Sequence, residues 1–179
     1  MKKTKKTTQD LISKLENTAR TAAVMMDGDE ARRVIVDRAM EHITHPNPKY
    51  RFLDADYYDV HFDTFLRVKK TLKRLQKLAD TECSANLWVR VRERTEEVTL
   101  AIQCGRCHRY WQFGELKHRI DTNMKRCLKG GKVVKILPTS RNTKVTFLAP
   151  VFDSLEETVG LIEFTADTAD DTLFGSIYE

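Results

Sequence analysis

Apolar residues recur at helical spacing through the first half of this chain and at strand spacing through the second, with the change near Cys83. Over residues 9–26 the apolar positions are Leu11, Ile12, Leu15, Ala19, Ala22, Ala23 and Met26, one stripe on a helix. Asp27, Gly28 and Asp29 interrupt it. Asp29 is placed to cap a second helix whose inner side is Val34, Ile35, Ala39, Met40 and Ile43. Pro46 and Pro48 end that helix, because proline removes a backbone donor and pushes its neighbour towards extended geometry. A third helix is predicted over 59–79, with Phe65, Val68, Leu72, Leu75 and Ala79 facing in. Arg67, Lys69, Lys70, Lys73, Arg74 and Lys77 fill its outer face.

Beyond Cys83 the period falls to two. Leu87, Val89 and Val91 alternate with Trp88, Arg90 and Arg92, and after a charged turn Val98, Leu100 and Ile102 continue on a second strand. A short helix is expected over 114–128, a turn at Gly130 and Gly131, and a strand over 133–137. The last two strands form a hairpin: an apolar run from Val145 to Phe152, an acidic turn, then Val159, Leu161 and Glu163 alternating with Gly160, Ile162 and Phe164. Helices followed by antiparallel strands predict an α+β fold, in which long N-terminal helices pack on a five-stranded antiparallel sheet with a helical crossover.

With 179 residues and 41% apolar content the chain suits one domain, assigned to 9–179, behind a basic tail at 1–8 expected to be disordered. Charge is unevenly spread: residues 106–135 hold nine bases and two acids, whereas 151–179 hold eight acids and no Lys or Arg. No run of about 18 apolar residues is present, and the lysine-rich start leads into Thr7, Thr8, Gln9 and Asp10, not into the apolar core of an export signal. The expectation is a soluble, cytoplasmic chain as written, or an extracytoplasmic one if an anchor has been removed.

The phrase Ala149-Pro150-Val151-Phe152-Asp153, a polar turn, then Val159-Gly160-Leu161-Ile162 resembles the closing hairpin of PAS-like sensor domains of the PDC or Cache family. The order of elements agrees over most of residues 9–168. Leu72 and Leu75 match a Leu-x-x-Leu turn, residues 87–92 and 98–103 the first sheet strands, and Met124 to Gly131 the small helix and glycine turn before the closing strands. The resemblance implies a PAS-like sheet and a non-catalytic sensory input module for signal transduction, binding a small molecule between the concave sheet face and the crossover. By position, Trp88, Arg90, Gln103, Tyr110 and Trp111 would line that site, with Arg90 gripping a carboxylate of an anionic ligand. The small residues Ala19, Ala22 and Ala23 would form a homodimer seam on the first helix. Family members usually lie between two membrane-spanning helices and feed an output module, so this chain is expected to be a free-standing binding protein or an excised piece. No ligand motif of the amino-acid or dicarboxylate subgroups is recognisable, so the resemblance does not name the ligand.

Cys104-Gly105-Arg106-Cys107-His108 supports several chemistries. The spacing is that of c-type haem attachment, which needs an exported protein and is disfavoured by the missing signal. The same thiols could bind zinc, the best set being Cys104, Cys107, His108 and Cys127, although no second paired knuckle is present. A redox dithiol and a pair of ordinary buried thiols complete the alternatives. The interleaved Arg106, His108, Arg109, Tyr110, Trp111 and Lys117 suggest an alternative function, nucleic-acid binding by a zinc-stabilised basic and aromatic segment. Catalysis is not expected: the chain lacks a nucleophile elbow, a phosphate-binding glycine loop, a His-Glu-x-x-His motif and a dinucleotide fingerprint.

Overall fold

A computed structural model describes residues 2–45, 59–91, 94–104, 116–117, 120–140 and 142–168. The elements in chain order are α1 (Lys2–Met25), α2 (Gly28–Arg33), α3 (Asp37–Thr44), α4 (Phe62–Leu78), β1 (Ser84–Val91), β2 (Arg94–Cys104), β3 (Leu116–Lys117), α5 (Thr122–Gly130), β4 (Val134–Ile136), β5 (Lys144–Phe152) and β6 (Thr158–Asp167). The strands form one antiparallel sheet in the order β3-β2-β1-β6-β5-β4. The α+β class is as expected, with a sixth strand added. That strand is the two-residue β3, which pairs with Val98 and Thr99 at the sheet edge where the sequence predicted the start of a helix. The helix begins later, at Thr122, because Asp121 caps it by accepting from the Met124 amide at 2.8 Å.

Helices cover both faces. On one side α1 lies along β5, α2 over β6 and α4 over β1 and β2; on the other α5 packs on β4, β5 and β6. Alternation sorts the side chains accordingly. Leu87, Val89, Phe147, Ala149, Ile162 and Phe164 join Leu15, Ala19, Val34 and Leu72 in the larger core, whereas Trp88, Leu100, Leu148 and Leu161 join Met124, Cys127 and Leu128 in a second. Because β5 is buried on both faces, its sequence reads as a nearly continuous apolar run. Truncating a side chain such as Leu15 or Leu72, both fully buried, costs about 2–5 kcal/mol.

Three local expectations are revised. The helix predicted to start at Gln9 starts at Lys2, so the helix includes the basic segment. The second helix is two, since it ends at Val34 and the chain is extended at Val36: Ile35 bridges Val60, the Val36 amide donates to Asp59, and the His61 amide donates to Val34 at 2.9 Å. β-Branched residues lose little by adopting extended backbone there. Its cap is Asp27, which accepts from the Glu30 amide at 3.1 Å. Asp29 instead accepts from the Ser154 amide at 3.1 Å, in the turn between β5 and β6.

That turn is fastened to α2. Asp153 Oδ1 accepts from the amides of Leu155 and Glu157, and its Oδ2 accepts from Arg32 at 2.9 Å. The approach is close enough to require glycine at position 28, where a β-carbon would lie 2.2 Å from the Phe152 carbonyl oxygen. Gly131 ends α5 with φ 58°, the left-handed geometry that favours glycine in a C-terminal cap. Ala19 and Ala22 are wholly buried against the chain's own core, and Ala23 packs partly against it. These small residues thus let α1 pack closely on the chain's own sheet. Among the described residues no helix is long and apolar enough to cross a membrane.

Candidate functional site

The face of the sheet turned towards α5 divides into an apolar part and a polar part. β1 runs through its middle between β2 and β6, placing Trp88 opposite Leu100 on one side and Leu161 on the other. Two residues back along β1, Asn86 lies between Gln103 of β2 and Glu163 of β6. Ser84 pairs with Thr165, which pairs in turn with Thr146 of β5. The apolar part is roofed by Met124, Cys127 and Leu128 of α5, and the polar row lies beside it.

Glu163 organises this row. One carboxylate oxygen, Oε2, accepts from Trp88 Nε1 at 2.9 Å and from Asn86 Nδ2 at 3.3 Å. Thr146 and Thr165 share a hydroxyl hydrogen bond of 3.0 Å, and the Ser84 hydroxyl donates to the Thr165 carbonyl. Asn86 is 2% exposed, yet its Oδ1 has no hydrogen-bond partner. A buried carbonyl left unpaired costs about 1–3 kcal/mol.

Of the residues expected to line a site, Trp88, Arg90 and Gln103 are described, and the first two fill roles beyond lining. Trp88 is fully buried, its ring in the core under α5 and its N–H on Glu163. Arg90 donates from Nη2 to the Leu128 carbonyl at 3.0 Å, satisfying an orphan acceptor near the end of α5, and its Nε is buried without a partner. Gln103 is half-buried at the end of β2 beside Asn86. Tyr110 and Trp111 lie outside the described residues, as do Cys107, His108 and the Arg106 and Arg109 of the basic segment.

The sheet stands between the two described thiols of the proposed zinc set. Cys104 belongs to the larger core and Cys127 to the core under α5. For one ion to bind both, one cysteine would have to leave its cluster. Burial pushes the Cys127 thiol up to about 12 and Cys83 to about 11, and raises Cys104 against the opposing pull of Lys69 and Lys73. Thiols held protonated in this way are poor nucleophiles and poor metal ligands. Among the described residues no group of three or more His, Cys, Asp or Glu is gathered for a metal.

Asn86 and Glu163 were not foreseen as site residues. One signal was present, a glutamate alternating with Val159 and Leu161 in an otherwise apolar strand. The partner was not visible, because Asn86 meets Glu163 across 77 positions of sequence.

No family model matches the sequence, and no curated protein matches it. Among solved structures, a GAF domain is similar with a TM-score of 0.42 and 10% identity, over 81% of this chain and 80% of that one. The sensory domain of the Campylobacter jejuni chemoreceptor Tlp3 (CcmL) is similar with a TM-score of 0.37 and 11% identity, over 93% of this chain and 62% of that one. Its isoleucine-bound form gives a TM-score of 0.31 and 12% identity, over 93% and 61%. The chain thus spans about three fifths of the length of that chemoreceptor domain.

Proposed function

We propose that this chain is a non-catalytic sensory domain that binds a small molecule on the α5-facing side of its sheet, at the row formed by Gln103, Asn86 and Glu163. The observation that carries the reading is the unpaired Oδ1 of Asn86, a buried acceptor beside a carboxylate at the border of the apolar part of this face. Ligand sites combine apolar surroundings with a few fixed polar groups, and this row adjoins the core that Trp88, Leu100 and Leu161 form under α5. The buried thiols favour binding over chemistry, since burial holds Cys83 and Cys127 protonated.

A route to the helices is built in. Glu163 lies on β6, whose turn with β5 is tied to α2 through Arg32, Asp153 and the Asp29–Ser154 hydrogen bond. A ligand that favours one position of β1 and β6 would shift the population of helix arrangements by its difference in affinity between them. Thermal-shift screening across carboxylates, amines and amino acids tests this reading. A true ligand at a hundredfold excess over its Kd adds about 2.7 kcal/mol, and Asn86→Ala should abolish the shift. Failure of every class to raise the melting temperature would overturn the proposal.

A further inference from the structure

The hydrogen-bonding pattern of the row constrains the ligand, on the reading that this row is the binding site. A carboxylate beside an amide fixes which way the amide turns, because only its NH2 can donate to Glu163. Asn86 therefore presents its oxygen, not its nitrogen, as the free group. Glu163 spends Oε2 on Trp88 and Asn86, and Oε1 remains to accept. The free oxygens of Asn86 and Glu163 are thus acceptors, one of them charged. Arg90, the base on the same strand, gives Nη2 to the Leu128 carbonyl of α5 and keeps its unpaired Nε buried there. A carboxylate ligand placed against Glu163 would meet like charge and a second acceptor.

We infer that the ligand presents a cationic nitrogen head, an ammonium or guanidinium with at least two N–H donors, to Glu163 Oε1 and Asn86 Oδ1. Such a head satisfies both acceptors at once, and a charge-assisted hydrogen bond to Glu163 is stronger than a neutral one. This reverses the anionic ligand expected when Arg90 was read as the anchor.

Calorimetry and thermal shift on the whole chain provide the test, with butylamine, putrescine, agmatine and tyramine as the cationic arm. Acetate, succinate and pyruvate form the anionic arm, and butanol is the uncharged match to butylamine. At least one cation should bind, with butanol and the carboxylates silent, and Glu163→Gln should weaken binding tenfold or more, on the order of one lost charged contact. Glutamine keeps an oxygen for the Trp88 N–H, so the fold is expected to survive. Should it not, the comparison of butylamine with butanol decides the matter on the unaltered protein. Binding of carboxylates without amines overturns the cationic head and leaves the sensory reading standing. An equal shift from sodium or magnesium chloride also overturns it, as does silence in every arm, and the sensory reading falls with it only if the amino acids of the wider screen are silent too.

Discussion

Asp153→Ala isolates the energy that holds the β5–β6 turn in shape and against α2. Its carboxylate is 2% exposed and receives three hydrogen bonds, from the amides of Leu155 and Glu157 at 3.0 and 2.9 Å and from Arg32 at 2.9 Å. The two amide bonds are worth about 1 kcal/mol each in net terms. The ion pair adds less than about 1 kcal/mol, because the Arg32 side chain is 42% exposed and water screens it. Alanine should therefore cost about 2–3 kcal/mol, while Arg32→Ala costs under about 1 kcal/mol. Asp153→Asn keeps an oxygen for both amides and should resemble Arg32→Ala. Urea unfolding reads the difference as a lower midpoint at unchanged slope; with a slope of about 1–3 kcal/mol per molar, the midpoint falls by roughly 0.7–3 M. If Arg32→Ala were as costly as Asp153→Ala, the energy would lie in the ion pair and the argument from turn amides would be refuted.

Other consequences follow from the same geometry. Gly28→Ala should lose about 1–3 kcal/mol, because its new methyl would overlap the Phe152 carbonyl and α2 would have to lift from the sheet; calorimetric melting measures this. Arg90→Ala should speed hydrogen exchange across α5 by removing the donor to Leu128, and unchanged exchange there would contradict the assignment. The buried thiols predict loss of stability at high pH. Folding raises Cys83 and Cys127 from their ordinary 9.0 to about 11 and about 12, so their contribution is complete below pH 9 and is lost as pH rises through the folded values. Between pH 9 and about 11 the unfolding free energy should fall by roughly 1.4 kcal/mol per pH unit for each thiol, and Cys127→Ala should flatten that slope in denaturant titrations. Cysteine-resolved alkylation should find both thiols slow to react in native protein and fast in urea.

The sequence by itself determined the elements whose cause is local. The stripes of α1 and α4, the alternation of β1 and β2 and the closing hairpin follow from side-chain spacing that neighbouring residues enforce, and together they specify helices on an antiparallel sheet. Tertiary structure decided whatever depends on residues far apart. The helix stops at Val34 because Asp59, Val60 and His61 offer backbone partners to Val34, Ile35 and Val36. Asp29 serves the turn at Ser154 and leaves the cap to Asp27. Leu116 and Lys117 become a strand only because the edge of β2 is open to them. The candidate site belongs to this second kind: Asn86 and Glu163 are unremarkable polar residues in their own strands, and only the β1–β6 register sets them side by side. Periodicity shows which way a side chain faces, but strand pairing across 77 residues fixes what it faces.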